Sequence, residues 1–211
     1  MESVVEEVMF LADIGNTHCH IFDGERVEHL LHEDALKKYG DRAFSYISVN
    51  SALENQIISR TQWKNISEEM RLEGAYVTMG VDRRALCLSH SDGIFVDAGS
   101  AITVDMMEGG KYLGGFIYPG LKAMLNAYAT ISPALKTEFN RSITLSKIPA
   151  TTKDGISYGI IAPIKALIES HSKGKQLYFT GGDGKFLAHF FDNAIYDETL
   201  VFRGMQKVIK G

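Results

Sequence analysis

"FLADIGNTHCHIFDG", residues 10–24, runs from an apolar stretch into an aspartate, a glycine and two small polar residues, then into His18-Cys19-His20. An apolar run that ends in D-x-G reads as a buried strand closed by a tight turn, where Gly15 lets the backbone approach closely. Residues 8–13 are therefore predicted as a first strand. Residues 17–22 and 26–31 follow as two more, turned at Asp23-Gly24, a strong hairpin signal. The first turn presents backbone N–H groups and small hydroxyls at a strand end, a cradle for phosphate oxygens. An aspartate repels phosphate unless a cation lies between them, so Asp13 implies Mg²⁺ or a monovalent ion nearby. His18 and His20, at i and i+2 on a strand, share a face and suggest zinc. A third and fourth ligand cannot be named, and one polar strand face is the preferred reading.

The same pattern returns in "GIFVDAGSAITVDMMEGGKYLGGFIYPG", residues 93–120. Asp13, Gly15 and Asn16 fall against Asp97, Gly99 and Ser100 at a constant offset of 84 residues. Taken singly, each turn is explained by Asp, Gly, Asn and Ser being turn formers. Two copies in equivalent strand contexts point instead to a duplicated phosphate cradle. Between them lie predicted helices at 34–39 and 51–60 and a strand at 44–49. Beyond them come helices at 119–128 and 153–170, a strand at 176–180, a Thr180-Gly181-Gly182 turn opening a helix, and a final helix at 198–209. Strands first and helices after, twice over, predict two small α/β halves facing each other across a cleft, divided near residue 90.

Composition narrows the function class. The chain has 211 residues, 45 % of them hydrophobic, and a formal net charge of −4. Its mean hydropathy is −0.05, as in ordinary globular proteins. No Lys/Arg block stands out, so no nucleic-acid or anionic-membrane partner is expected. The opening MESVVEEV is acidic, and no apolar run approaches the ~18 residues of a membrane helix, so a cytoplasmic, soluble protein is expected. Two cysteines, Cys19 and Cys87, without a CxxC pair support neither a disulfide framework nor a structural zinc site. There is no G-x-x-x-x-G-K-[ST] and no G-x-G-x-x-G, so a nucleotide would be held without a P-loop.

Two further stretches carry chemistry. In "MGVDRRAL", residues 79–86, Asp82 supplies a candidate base beside Arg83, whose planar fork can bind a carboxylate through two hydrogen bonds. By itself an Asp-Arg pair opening a helix is more often a surface cap. In "YLGGFIYPG", residues 112–120, the glycines fit either close packing or an open face for a ligand.

Together these motifs resemble the type III pantothenate kinases, members of the actin and sugar-kinase superfamily. The resemblance rests on D-I-G-N-T at 13–17, G-V-D-R at 80–83, D-A-G-S-A-I-T-V-D at 97–105, G-G-F-I-Y-P-G at 114–120 and T-G-G at 180–182, and it runs through most of the chain. It implies an α/β chain of two ribonuclease H-like halves, the actin-like ATPase fold, facing a central nucleotide cleft. Residues 1–90 would carry the first phosphate turn, and residues 91–211 the second phosphate turn and an adenosine turn. The implied activity is ATP-dependent phosphorylation of pantothenate to 4′-phosphopantothenate, the first step of coenzyme A biosynthesis. The implied enzyme is a homodimer that uses Mg²⁺ with ATP and a monovalent cation, K⁺ or NH₄⁺, with its pantothenate pocket completed at the subunit interface.

Carried over by position, Asp13, Ile14, Gly15, Asn16, Thr17, His18, Cys19 and His20 form the first ATP-binding segment, with Asp13 near Mg²⁺. Asp97 binds the monovalent cation, and Ser100 contacts phosphate where the family usually has threonine. Gly181 and Gly182 lie near the adenosine. Gly80, Val81, Asp82 and Arg83 line the pantothenate pocket, with Asp82 as proton acceptor. Thr152, seven residues before Gly159, matches the spacing of the family's substrate-contacting threonine. The chain departs from the family pattern before G-V-D-R, where "GAYVTMG" replaces a Tyr-x-Asn-Pro segment and Tyr76 stands in for the pocket tyrosine. Two other readings stay open: a kinase for another small hydroxylated acid or sugar, and a non-catalytic binding or regulatory relative.

Overall fold

The computed structural model describes residues 10–211. Val8 and Met9, the start of the predicted first strand, lie outside the described residues. The chain forms two units. One gathers residues 10–91, 110–112 and 199–211, and the other residues 92–109 and 113–198.

The first unit opens as predicted, with a meander of β1 (Leu11–Ile14), β2 (Cys19–Phe22) and β3 (Val27–Leu30). Helix α1 (His32–Tyr39) leads to β4 (Ser45–Ser48), which returns parallel to β1. A 3₁₀ turn and α2 (Glu54–Arg60) precede β5 (Lys64–Asn65), giving the strand order β3-β2-β1-β4-β5. Period-two alternation then sorts the side chains. Ala12, Ile14, Cys19 and Ile21 face α1 and α2 in a core with Leu36, Tyr46, Ile57 and Trp63. On the opposite side Phe22 stacks on Phe202, their ring centroids 5.2 Å apart. Phe202 belongs to α7 (Leu200–Lys210), a strongly amphipathic helix that packs beside α3 (Val81–Leu88). This last helix, expected in the second half, instead buries its apolar stripe Leu200, Val201, Phe202 and Met205 within the first unit. Lys207 Nζ donates to the Ser89 carbonyl at 2.6 Å, satisfying an acceptor at the C-terminal end of α3.

The second unit repeats the design. Strands β6 (Gly93–Ala98), β7 (Ala101–Glu108) and β8 (Lys111–Pro119) form a second meander, followed by α4 (Leu121–Ile131) and the long α5 (Thr152–Ser172). Then come β9 (Leu177–Thr180), the short α6 (Gly184–Ala188) and β10 (Ala194–Tyr196). The order β8-β7-β6-β9-β10 is that of the first sheet, with β9 parallel to β6 as β4 is to β1. Ile156, Ile160, Ile164 and Ile168, spaced at four residues, form the buried stripe of α5 against Val96, Val104 and Phe179. Each such side chain contributes roughly 1.5–3 kcal/mol by leaving water. The loop before α5 is tied to it: the Asn140 N–H donates to the buried Ser157 hydroxyl at 2.9 Å and Asn140 Nδ2 to Asp154 at 2.7 Å. Two short outer strands, β5 and β10, were not foreseen from the sequence.

Two expectations follow from the first unit. A Cβ on Gly204 would lie 1.7 Å from the Ala85 carbonyl oxygen, so α3 and α7 touch backbone to backbone there. Gly204→Ala should force the helices apart and destabilise the protein by about 1–3 kcal/mol, the usual cost of overpacking. Urea unfolding gives the value, and a change under 0.5 kcal/mol would refute the contact. The second concerns His20, which shares a 2.6 Å Nδ1 to Nδ1 hydrogen bond with His29 and stacks on His18. Such a bond requires one nitrogen without a proton. Burial first, then the charges of His29 and His18, lower the His20 pKa from 6.5 to about 4. The unfolded chain therefore takes up this proton at a higher pH than the fold does. Stability is full above pH 6.5 and falls towards pH 4, by roughly 3 kcal/mol for a shift of that size. His20→Asn should flatten unfolding free energy against pH in that window; an unaltered slope would exclude His20 as its source.

Candidate active site

Both sheets end their central strand in the same way. In the first, Asp13 pairs in register with His20 on β2 and Ile47 on β4. The turn over residues 15–18 is closed by the Gly15 N–H donating to the His18 carbonyl at 2.9 Å. Asn16, Thr17 and His18 are exposed, so the turn offers its polar groups outward. His32, at the start of α1, places Nε2 3.0 Å from the Gly15 carbonyl and fixes the turn from behind. His32 carries no local sign of this role beyond being a histidine that opens a helix. Ile14 and Cys19 point into the core, the latter 2 % exposed. Burial, with the Asp13 charge second, pushes the Cys19 thiol up to about 12. Both residues can meet a ligand through backbone groups alone. Alternation turns Cys19 away from His18 and His20, so only the two histidines share the polar strand face.

In the second sheet Asp97 pairs with Thr103 on β7 and Thr180 on β9. The turn is one residue shorter: Ala98 faces Ile102, and the Gly99 N–H donates to the Ala101 carbonyl at 2.9 Å. Ser100 stands exposed at its tip, and its carbonyl accepts from the Gly120 N–H at 3.0 Å. Gly181 has φ +84, and a Cβ there would lie 2.4 Å from Asp97 Oδ1 and 2.6 Å from the Ala98 carbonyl oxygen. The T-G-G turn thus packs directly on the Asp97 carboxylate, and the Asp183 N–H donates to the Ala98 carbonyl at 2.9 Å. Thr103 Oγ1 is buried and finds no hydrogen-bond partner among the described residues. A carboxylate beside an orphaned hydroxyl is a hard oxygen donor set and fits a monovalent or hard divalent cation better than zinc.

The third element is the start of α3. Gly80 is its N-cap, and a Cβ there would lie 2.4 Å from Asp82 Oδ1, so the absent side chain lets the carboxylate fold back over the cap. Asp82 Oδ1 accepts the Arg83 N–H at 2.8 Å, where the helix dipole favours a negative group. Val81 is buried. Arg83 is no surface cap: it is 7 % exposed, and its Nη1 donates to the Tyr76 hydroxyl at 2.6 Å and its Nη2 to the Tyr112 hydroxyl at 3.4 Å. Tyr76 is thus brought to Arg83 despite the altered local spacing. Val49 connects this element to the first turn. Its N–H donates to the Ile14 carbonyl at 3.1 Å, and its side chain lies 3.9 Å from the Cβ position of Gly80. A cavity of about 880 Å³ opens beside Val49, lined by Ser48, Ser51, Glu54, Asn65 and Arg71 among others, and none of the expected site residues lines it.

Within the first unit, then, the structure gathers Asp13, the 15–18 turn, Gly80, Asp82, Arg83 and Tyr76. Within the second it gathers Asp97, Ser100, Gly181 and Gly182. Thr152 is the exposed first residue of α5, capped by Thr151, whose hydroxyl accepts the Asp154 N–H at 3.2 Å. Gly159, two turns on, lies against the Tyr128 hydroxyl. Among the described residues, no group of three or more His, Cys, Asp or Glu side chains could by itself hold a metal ion. A cation here would depend on one carboxylate plus hydroxyl, backbone, water or phosphate oxygens.

A family model described as type III pantothenate kinase matches residues 45–173. Type III pantothenate kinases from Helicobacter hepaticus, Wolinella succinogenes and Campylobacter jejuni are 45 %, 43 % and 42 % identical to this chain. Each match covers 96 % of this chain and 97 % or 98 % of the relative. A crystal structure from Campylobacter jejuni, of a conserved protein assigned to the Baf family of transcriptional activators, superposes with a TM-score of 0.87 at 40 % identity, covering 96 % of this chain and 98 % of that one. The activator of 2-hydroxyisocaproyl-CoA dehydratase from Clostridium difficile, with bound ADPNP, matches at a TM-score of 0.54 and 12 % identity over 96 % of each chain, a likeness of fold alone. The repeated five-stranded sheet is that of the actin-like ATPases and sugar kinases, and the chain belongs to the type III pantothenate kinase family.

Proposed function

We propose that this chain transfers the γ-phosphoryl group of ATP to the 4′-hydroxyl of pantothenate, giving 4′-phosphopantothenate and ADP, the first step of coenzyme A biosynthesis. Family membership supports the reaction. At the level of residues, the observation that carries it is the start of α3, where a carboxylate held by the helix terminus adjoins a buried guanidinium. In this reading Arg83 binds the pantothenate carboxylate through its fork, with Gly80, Val81, Tyr76 and Thr152 around the rest of the substrate. Asp82 accepts the hydroxyl proton as the new O–P bond forms and the bond to the ADP oxygen breaks. A carboxylate is a weak base, which suffices when the transition state is loose and the proton leaves late.

The residues of the two strand-end turns would hold ATP. Residues 15–18 would contribute N–H groups and hydroxyls to phosphate, Ser100 would contribute its hydroxyl, and Gly181 and Gly182 would lie near the adenosine. Asp13 would hold Mg²⁺, directly or through water, and Asp97 with the Thr103 hydroxyl would hold K⁺ or NH₄⁺. Bound cations would neutralise phosphate charge that both aspartates otherwise repel. A homodimer in the cytoplasm fits the family resemblance. Among the described residues no helix is long and apolar enough to cross a membrane.

The deciding experiment is ADP release from ATP and Mg²⁺, with and without pantothenate, in K⁺ and in Na⁺ buffer. Turnover that needs both pantothenate and K⁺ is expected. Silence of folded protein in every condition would favour the regulatory role attached to the Campylobacter jejuni structure, and turnover without pantothenate would point to another acceptor or none. Asp82→Asn should lower kcat by about 10² or more, the range for a general base, while ATP affinity measured by calorimetry stays within a few-fold. Near-normal kcat would remove Asp82 from proton transfer.

A further inference from the structure

We propose that Tyr112 is a positioning residue for pantothenate recognition, setting the plane of the Arg83 guanidinium and thereby the preference for a carboxylate-bearing substrate. The proposal rests on the reading of Arg83 as the carboxylate fork. A buried guanidinium keeps its charge and must find acceptors for its N–H groups. Two phenols take one terminal nitrogen each, Tyr76 at 2.6 Å and Tyr112 at 3.4 Å. The two hydroxyls differ in setting. Tyr76 is 46 % exposed, whereas Tyr112 is 6 % exposed, so Tyr112 is the fixed side of the clamp.

Tyr112 also holds the segment that delivers its counterpart. Its N–H donates to the Glu73 carbonyl at 2.8 Å. Gly74, at φ +82, presses on its carbonyl oxygen, where a Cβ would come within 2.5 Å. The rings of Tyr76 and Tyr112 lie 6.2 Å apart, and the Arg83 guanidinium carbon sits 5.8 Å from the Tyr76 ring centroid. One buried residue therefore meets the guanidinium through its hydroxyl and the Tyr76 segment through its backbone. A fork binds a carboxylate by two parallel hydrogen bonds only while its plane is held, so the energy of this bond resides in orientation. Tyr112 stands next to the GGFIYPG motif and was not singled out in the sequence, because its partners lie 29 and 36 residues away.

Tyr112→Phe removes one oxygen and keeps the ring. Steady-state kinetics would be run with pantothenate and with pantothenyl alcohol, which has a hydroxymethyl group in place of the carboxylate, alongside Arg83→Lys and the double variant. The expected result is a pantothenate KM raised about 3- to 10-fold, the scale of one hydrogen bond, with kcat and the ATP KM within two-fold. The preference for the acid over the alcohol should shrink, and the two substitutions should be less than additive. A rise in KM for acid and alcohol alike, or a fall in kcat together with the thermal midpoint, would mark a packing role and overturn the proposal. An unchanged KM in Tyr112→Phe while Arg83→Lys raises it would overturn the role of Tyr112 and leave the fork intact. Unchanged values in both would remove Arg83 from the carboxylate and the proposal with it.

Discussion

The rest of the structure depends on where two central strands stop. Strands β1 and β6 each lie between an antiparallel and a parallel neighbour, and each brings an aspartate to its carboxyl end in register with both. Alternation along a strand leaves no freedom in this arrangement. Ala12 and Ile14, or Val96 and Ala98, must enter the core, so Asp13 and Asp97 must take the other face. A one-residue slip would turn both carboxylates into the helix-covered cores, among Ile21, Tyr46 and Ile57 in one sheet and Val104 and Phe179 in the other. The apolar cores thus fix the strand register that places the charged groups.

The tight contacts around those strand ends are made by backbone rather than side chains. Gly181 brings the turn after β9 onto the Asp97 carboxylate, and Gly120 brings the end of β8 so close that a Cβ there would lie 2.4 Å from the Gly99 carbonyl oxygen and 2.6 Å from that of Ser100. The ambiguity of the "YLGGFIYPG" stretch, close packing or an open ligand face, is resolved at Gly120 as close packing. At Gly114 a Cβ would meet nothing within 4 Å, so there the backbone angle, φ +137, is what selects glycine. The same residue type serves two physical ends within seven positions.

What could be read in the sequence was what local chemistry encodes. The duplicated D-x-G turns, the meanders and the helices at 32–39, 121–131 and 152–172 follow from period, turn residues and caps that sit within a few positions of one another. The short strands β5 and β10 carry no such signal: Lys64-Asn65 is polar, and Ala194-Ile195-Tyr196 is too brief to show alternation. Likewise Arg83 could not be told from a surface cap, since its burial is conferred by residues far along the chain. Thr103 and His32 belong to the same class, ordinary residues whose importance comes from what a distant strand or turn places opposite them. Motifs marked the candidate reacting groups, whereas the groups packed around them are set by tertiary structure.

The return of the chain to its first unit has a bearing on biogenesis. The second unit is in effect an insertion between α3 and α7, and the helix that covers Phe22 and closes on Gly204 is synthesised only after all of it. On the ribosome the second sheet and its isoleucine-lined helix can therefore mature while the first still has one apolar face open. The half that is translated first must therefore wait for the end of the chain before Phe22 gains the ring it stacks on.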